Sequence, residues 1–152
     1  MVIILAGIAG TFLMTMFVRM FAAATGYQLA VPRVLGTLFT FTTTPSGKVS
    51  HQPVALIWGN ILHYAIGIFF SLIYALCLTK HWLPAGIGGG IGFGALIGIV
   101  AVLCWLLMLK LHPLTPRIRT GIFLSSVYLG HILFGLVLAL VYSVYPGYFQ
   151  LY

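Results

Sequence analysis

Residues 2–25, 53–79, 83–109 and 121–145 form four stretches that are long enough, and poor enough in charge, to cross a bilayer as helices. In hydrocarbon every backbone N–H and C=O must find its partner inside the segment, which leaves the α-helix as the solution for isolated stretches of this kind. The expected fold class is therefore an all-α integral membrane protein, a four-span helical bundle occupying residues 1–152 as one membrane domain. Composition agrees: 62% of residues are hydrophobic and 5% charged, where soluble domains carry about 25% charged residues. Pro53 and Pro84 suit the first turns of the second and third spans. Gly26, the Lys80-His81-Trp82 turn, Pro113 with Pro116, and Pro146-Gly147 are the expected stops. No basic segment precedes the first apolar stretch, so no secretory signal is expected.

The connection between the first two spans is too long for a turn. Val34 to Phe41 is apolar but too short to cross. Residues 31–42 are expected to form an interfacial or re-entrant helix, followed by the polar stretch Thr42–Ser50.

The sequence contains no Asp and no Glu. Paired-carboxylate acid–base chemistry, carboxylate metal cages, a Ser-His-Asp triad and carboxylate proton relays are all excluded within the chain. A non-catalytic protein is expected. The net charge of +7 comes from residues that flank spans, so the lipid bilayer and not nucleic acid is the expected partner. Arg19, Arg33 and Lys48 cluster around the first connection, and Lys110, Arg117 and Arg119 around the third, with Lys80 alone opposite. The positive-inside rule then puts both longer connections in the cytoplasm and both termini outside. Arg19, Arg33 and Arg117 are candidates for contact with lipid phosphate, an acidic partner subunit or a ligand's anionic group. His51, His81 and His112 fall at span ends and read as solvated. Cys77 and Cys104 differ in depth by most of the bilayer and are not expected to bridge.

The second and fourth spans match without a gap. His63-x3-Gly67-x3-Ser71-Leu-Ile-Tyr74 aligns with His131-x3-Gly135-x3-Ala139-Leu-Val-Tyr142. Gly10 precedes Pro32-Arg33 by the same interval as Gly94 precedes Pro116-Arg117. Two copies of a helical hairpin are expected, related by an axis along the membrane normal, with His63 and His131 level near mid-membrane. At helical spacing Asn60, His63, Gly67, Ser71 and Tyr74 share one face, and His131, Gly135, Ala139 and Tyr142 another. Polar groups in lipid seek the bundle interior, so both faces should point inward.

The third span places Gly86, Gly90, Gly94 and Gly98 at strict four-residue spacing, and the first offers Gly7 and Gly10, with Thr11 and Thr15 at similar spacing. Small residues so spaced allow close helix approach, a glycine-zipper pattern. Packing of the third span against the first or second is expected, with an oligomer or partner-subunit face as the alternative. The GxGxxG-like spacings in this string follow no strand and lie in a span, which rejects a dinucleotide site.

For His63 and His131 two chemistries stand beside simple hydrogen bonding to a carbonyl, Asn60, Tyr74 or Tyr142. As neutral imidazoles they could be axial ligands of haem b, chlorophyll or another tetrapyrrole. They could also line a pocket for quinone, lipid or a transported solute. No other metal site is expected.

Ala6-Gly7-Ile-Ala-Gly10-Thr11, with Gly130-His131-x3-Gly135 leading to Tyr142, resembles small uncharacterised bacterial four-span inner-membrane proteins. The resemblance implies an inner-membrane location and no particular activity. Three function classes follow: an accessory or scaffold subunit, alone or as a homo-oligomer; a haem, chlorophyll or quinone carrier using His63 and His131; and a small channel or transporter.

Overall fold

The computed structural model describes residues 1–26 and 30–145; the stop expected at Pro146-Gly147 lies outside them. Five helices follow one another: α1 (Val2–Thr25), α2 (Val31–Phe39), α3 (Pro53–Thr79), α4 (Ile87–Leu111) and α5 (Thr120–Val144). Among the described residues there is no strand. All but α2 are long and apolar enough to cross a membrane, and the chain is an integral membrane protein built as a helical bundle.

Local chemistry sets the helix ends. α1 stops where Gly26 turns left-handed at φ 68° and its N–H caps the carbonyls of Ala22 and Ala23. α3 opens on Pro53, whose missing N–H costs nothing in a first turn. α4 begins at Ile87 and not at the expected residue 83, because Gly86 takes φ 98° and breaks the run after Pro84. It ends at Leu111, since Pro113 forces His112 into an extended conformation.

The spans pack in the order α3–α1–α5–α4, with α2 lying on α3. Sequence neighbours α3 and α4 keep their backbones apart and meet through the rings of Tyr74 and Phe93, with centroids 5.0 Å apart. Large apolar side chains such as Phe12, Ile57, Phe69, Leu96 and Leu103 face outward, as lipid requires. The inward line of α3 is instead Ala55, Gly59, His63, Gly67, Ser71 and Tyr74.

Apolar tails are no worse a solvent than leucine, so helix association in lipid comes from close contact. The helices meet where glycine allows backbone to touch backbone. A Cβ on Gly7 of α1 would lie 2.6 Å from Ile68 Cα of α3. One on Gly59 of α3 would lie 2.9 Å from Gly36 N of α2. The four-spaced glycines of α4 pack on α5, not on the first or second span as expected. Gly90 and Gly94 meet Gly135 and the His131 carbonyl, and Gly98 meets Tyr128. Four-residue spacing specifies a close approach but not its partner, which explains the difference. Gly86 stands apart from the line, with open space around it. Gly10 of α1 accommodates the Phe134 ring of α5.

Two apolar clusters hold the ends of the bundle. One gathers Ala6, Met14, Tyr74, Phe93, Leu138 and Tyr142. The other gathers Val18, Val31, Val34, Leu38, Trp105 and Phe123 at the opposite end, where six of the seven basic residues also lie. α2 is embedded in this second cluster. Its antiparallel seat on α3, Pro32 against Gly59 and Gly36 against Ala55, turns its first residues toward the bundle interior.

At the basic end the two longer connections interlock. The Arg117 N–H donates to the Gly47 carbonyl at 2.7 Å, and the Thr43 hydroxyl to the Leu114 carbonyl. His112, expected to be solvated, is half-buried in this junction. Its Nε2–H donates to the Leu38 carbonyl at 3.0 Å, its Nδ1 accepts the Leu114 N–H at 3.1 Å, and its ring meets Phe41 with centroids 4.7 Å apart. His112→Ala removes both hydrogen bonds, at about 1 kcal/mol each. Amide exchange in residues 40–50 and 112–119 is expected to quicken about tenfold or more, with the spans unchanged.

Candidate functional site: a lateral cavity between α3 and α4

Because the α3 and α4 backbones stay apart beyond the Tyr74–Phe93 contact, the bundle keeps a cavity of about 200 Å³ at mid-depth, between the two apolar clusters. α1 and α5 form its floor, α3 and α4 its sides, and Val31 and Leu35 of α2 close it toward the basic end. Ile66 and Phe70 of α3 face Val100, Ala101 and Cys104 of α4 across it. Several of these are exposed at the bundle surface, so the mouth opens sideways, toward hydrocarbon.

Both intramembrane histidines line this one cavity. His63 is 8% exposed and His131 9% exposed. Their protonation follows from their partners. His131 Nδ1 lies 2.8 Å from the Val127 carbonyl, which can only accept. The hydrogen of neutral His131 is therefore on Nδ1, and Nε2 is a bare lone pair. His63 Nε2 lies 3.2 Å from Thr15 Oγ1. The Thr15 hydroxyl already donates to the Thr11 carbonyl at 2.7 Å, so His63 must donate through Nε2. Its Nδ1 is then the bare nitrogen. Neither His63 Nδ1 nor His131 Nε2 has a partner among the described residues, and neither is shut off as a buried unsatisfied atom. Both rings line the cavity. Thr11 Oγ1, a third polar atom of the wall, commits its hydrogen to the Gly7 carbonyl at 2.7 Å.

The other residues singled out from the sequence disperse. Asn60 is half-buried and donates to the Leu56 carbonyl of its own helix, beside the inward line. Gly67 lines the cavity while abutting Thr11, whereas Gly135 is consumed by α4. Ser71, Tyr74 and Tyr142 form a separate group: the Tyr142 hydroxyl donates to the Ser71 carbonyl at 3.3 Å, and the two tyrosine rings meet edge-on at 5.5 Å. Arg19 is exposed near the basic end, Arg33 half-buried on α2, and Arg117 in the loop junction; none lines the cavity. Cys77 and Cys104 are free thiols, the second in the cavity wall.

Sequence reasoning missed the walls contributed by α2 and α4. Trp105, packed edge-on against Phe123 at 4.7 Å, and Ala101 carry no signal of a site, because the site is made by a missing helix contact. Thr15, noted only as a small residue, turns out to fix the His63 tautomer. Among the described residues no three His, Cys, Asp or Glu side chains converge as a metal site would require. No family model matches the sequence, and no curated protein or solved structure is detectably similar to it.

Proposed function

We propose that this protein binds a small lipid-dissolved molecule, admitting it from the bilayer between α3 and α4 and meeting its polar head with His63 and His131. One observation carries the reading: two nine-tenths-buried imidazoles, each with one nitrogen left free of protein partners, line the same apolar cavity. Polar side chains at membrane depth are costly and mark ligand or ion paths by default.

Size selects among the ligand classes. Pockets that enclose drug-sized molecules run to about 300–1,000 Å³, and this cavity holds about 200 Å³. A single ring or comparably short head fits, with its tail lying in lipid, as for a quinone-type molecule. A haem or chlorophyll macrocycle would have to force α3 and α4 apart. The apolar clusters above and below the cavity weigh against a channel along the bundle axis. The glycine line of α4 is taken up by α5 in the same chain, so it lends no support to an accessory-subunit role.

Two further readings belong with this one. The basic end faces the cytoplasm, in keeping with six of seven cations gathered there. The chain is also a duplicated hairpin: Gly67 meets Gly7 and Thr11 of α1 much as Gly135 meets Gly90 and Gly94 of α4. In such a repeat the α3–α4 seam corresponds to the packed α1–α5 seam, and the cavity lies where that symmetry is broken.

Trp105 reports on occupancy. With Trp58 and Trp82 changed to Phe, titration with para-bromohexylbenzene at constant detergent is expected to quench Trp105 saturably. Ala101→Phe, which fills the cavity, is expected to weaken that binding at least tenfold. Quenching that rises linearly with the probe's mole fraction, and is unaltered by Ala101→Phe, overturns the reading.

A further inference from the structure

The hydrogen-bond polarity of the cavity deepens the binding reading, on which this inference rests, by saying which head group suits it. We infer that the cavity selects a dihydroxy-aromatic head, the reduced, hydroquinone-like type, donating one O–H to His63 Nδ1 and one to His131 Nε2, over carbonyl or ether counterparts of similar shape.

Every hydrogen on these side chains is already committed. His131 spends its N–H on the Val127 carbonyl. His63 spends its own on Thr15, and Thr15 and Thr11 spend theirs on the carbonyls one turn back. The chain from His63 Nε2–H through the Thr15 hydroxyl to the Thr11 backbone carbonyl therefore runs in one direction and leaves His63 Nδ1 a bare lone pair; the Thr11 hydroxyl bonds separately to the Gly7 carbonyl. His131 ends the second, shorter chain in the same way. His63 and His131 thus both offer acceptors, while the Thr11 hydroxyl, buried against Gly67, offers no donor. A carbonyl or ether oxygen placed there meets lone pair against lone pair. A hydroxyl completes the bond. The N–H of Trp105 is a donor in the same wall, but it belongs to a position about two turns toward the basic end from Gly98, the residue opposite His131. It is complementary to a hydroxyl's lone pairs and does not replace the two donors that the imidazoles require. The ring body finds Phe70, whose ring meets His131 edge-on at 6.4 Å, and Phe134.

A site built to pair with hydroxyls rejects an analogue lacking them, because its own buried polar atoms are left unpaired. Each such bond is worth about 1 kcal/mol, or roughly fivefold in affinity.

The test compares three probes of one tail length, hexylresorcinol, its dimethyl ether and hexylbenzene, by Trp105 fluorescence on the full chain in detergent. Hexylresorcinol is expected to bind at least tenfold more tightly than either other probe. His63→Phe and His131→Phe are each expected to cut that preference, taken relative to hexylbenzene binding by the same variant, about fivefold. Nitrogen NMR of histidine-labelled wild-type protein, which needs no variant to fold, is expected to move the two bare-nitrogen signals on adding hexylresorcinol and not on adding the ether. Saturable binding of all three probes with equal affinity, or tighter binding of the ether, overturns this inference and leaves the binding reading standing. Failure of every probe to bind saturably sinks both.

Discussion

Gly135→Val is expected to destabilise the bundle strongly, whereas Gly92→Val on the facing helix is expected to cost almost nothing. A Cβ on Gly135 would lie 2.7 Å from Gly94 N and 2.8 Å from Gly94 Cα, and nearer still to the Gly90 carbonyl oxygen. These are backbone atoms of a second helix and cannot swing aside. The helices must separate by half an ångström or more, and a gap of about 0.5–1 Å forfeits a quarter to a half of each dispersion contact along the seam. In lipid no hydrophobic term compensates. Overpacking ordinarily costs about 1–3 kcal/mol; against two helix backbones the upper figure is the expected minimum. At roughly 2–4 °C per kcal/mol for a chain of this size, the melting temperature should fall by about 6 °C or more. Gly88 and Gly92 have nothing within 4 Å of an added Cβ, so valine at either should shift the melt by about 1 °C at most. Equal damage from Gly92→Val would show that the outer face of α4 is covered in solution.

The second large effect is local. Gly59→Val would set a Cβ 2.9 Å from Gly36 N and 2.8 Å from the Pro32 carbonyl carbon, evicting α2 from its seat on α3. The remaining attachments of α2 include the contact of Phe39 with Trp58, with centroids at 5.6 Å, the Ser50 N–H bond to Thr37 Oγ1 at 2.9 Å, the His112 bond to the Leu38 carbonyl at 3.0 Å, and the burial of Val31, Val34 and Leu38. They do not restore the close approach. The four spans should persist, since α2 takes no part in the α1–α3, α1–α5 or α4–α5 contacts. Residues 30–52 should become cleavable by protease within minutes. Probe binding should weaken at least tenfold, because Val31 and Leu35 close one end of the cavity. Retention of α2 in the variant, judged by unchanged proteolysis, would mean that the seat is looser than the backbone contact implies.

Much of this architecture could be read from the chain before any coordinates. Hydropathy marks the spans to within a few residues, and a short apolar run before Thr42 marks α2. The inward setting of His63 and His131 follows from the cost of turning imidazole to lipid. Three things could not be read. A glycine row announces closeness without naming its partner, so the sequence does not single out α5 as the helix on which α4 packs. Gly59 and Gly36 look unrelated until α2 folds back on α3. The cavity itself is a contact that fails to form, and no residue of α4 advertises it. Asn60, polar and at the spacing of the inward line, suggests a site residue, but its amide donates to the Leu56 carbonyl, one turn back on its own helix.

The sideways mouth between α3 and α4 changes what concentration means for this protein. A molecule that reaches His63 and His131 through that opening never crosses water, and it searches for the entrance by diffusing in a plane. Occupancy then follows the ligand's share of the surrounding lipid or detergent, not its aqueous molarity. Doubling the amphiphile at fixed total ligand should halve the apparent affinity, with no change in the protein at all.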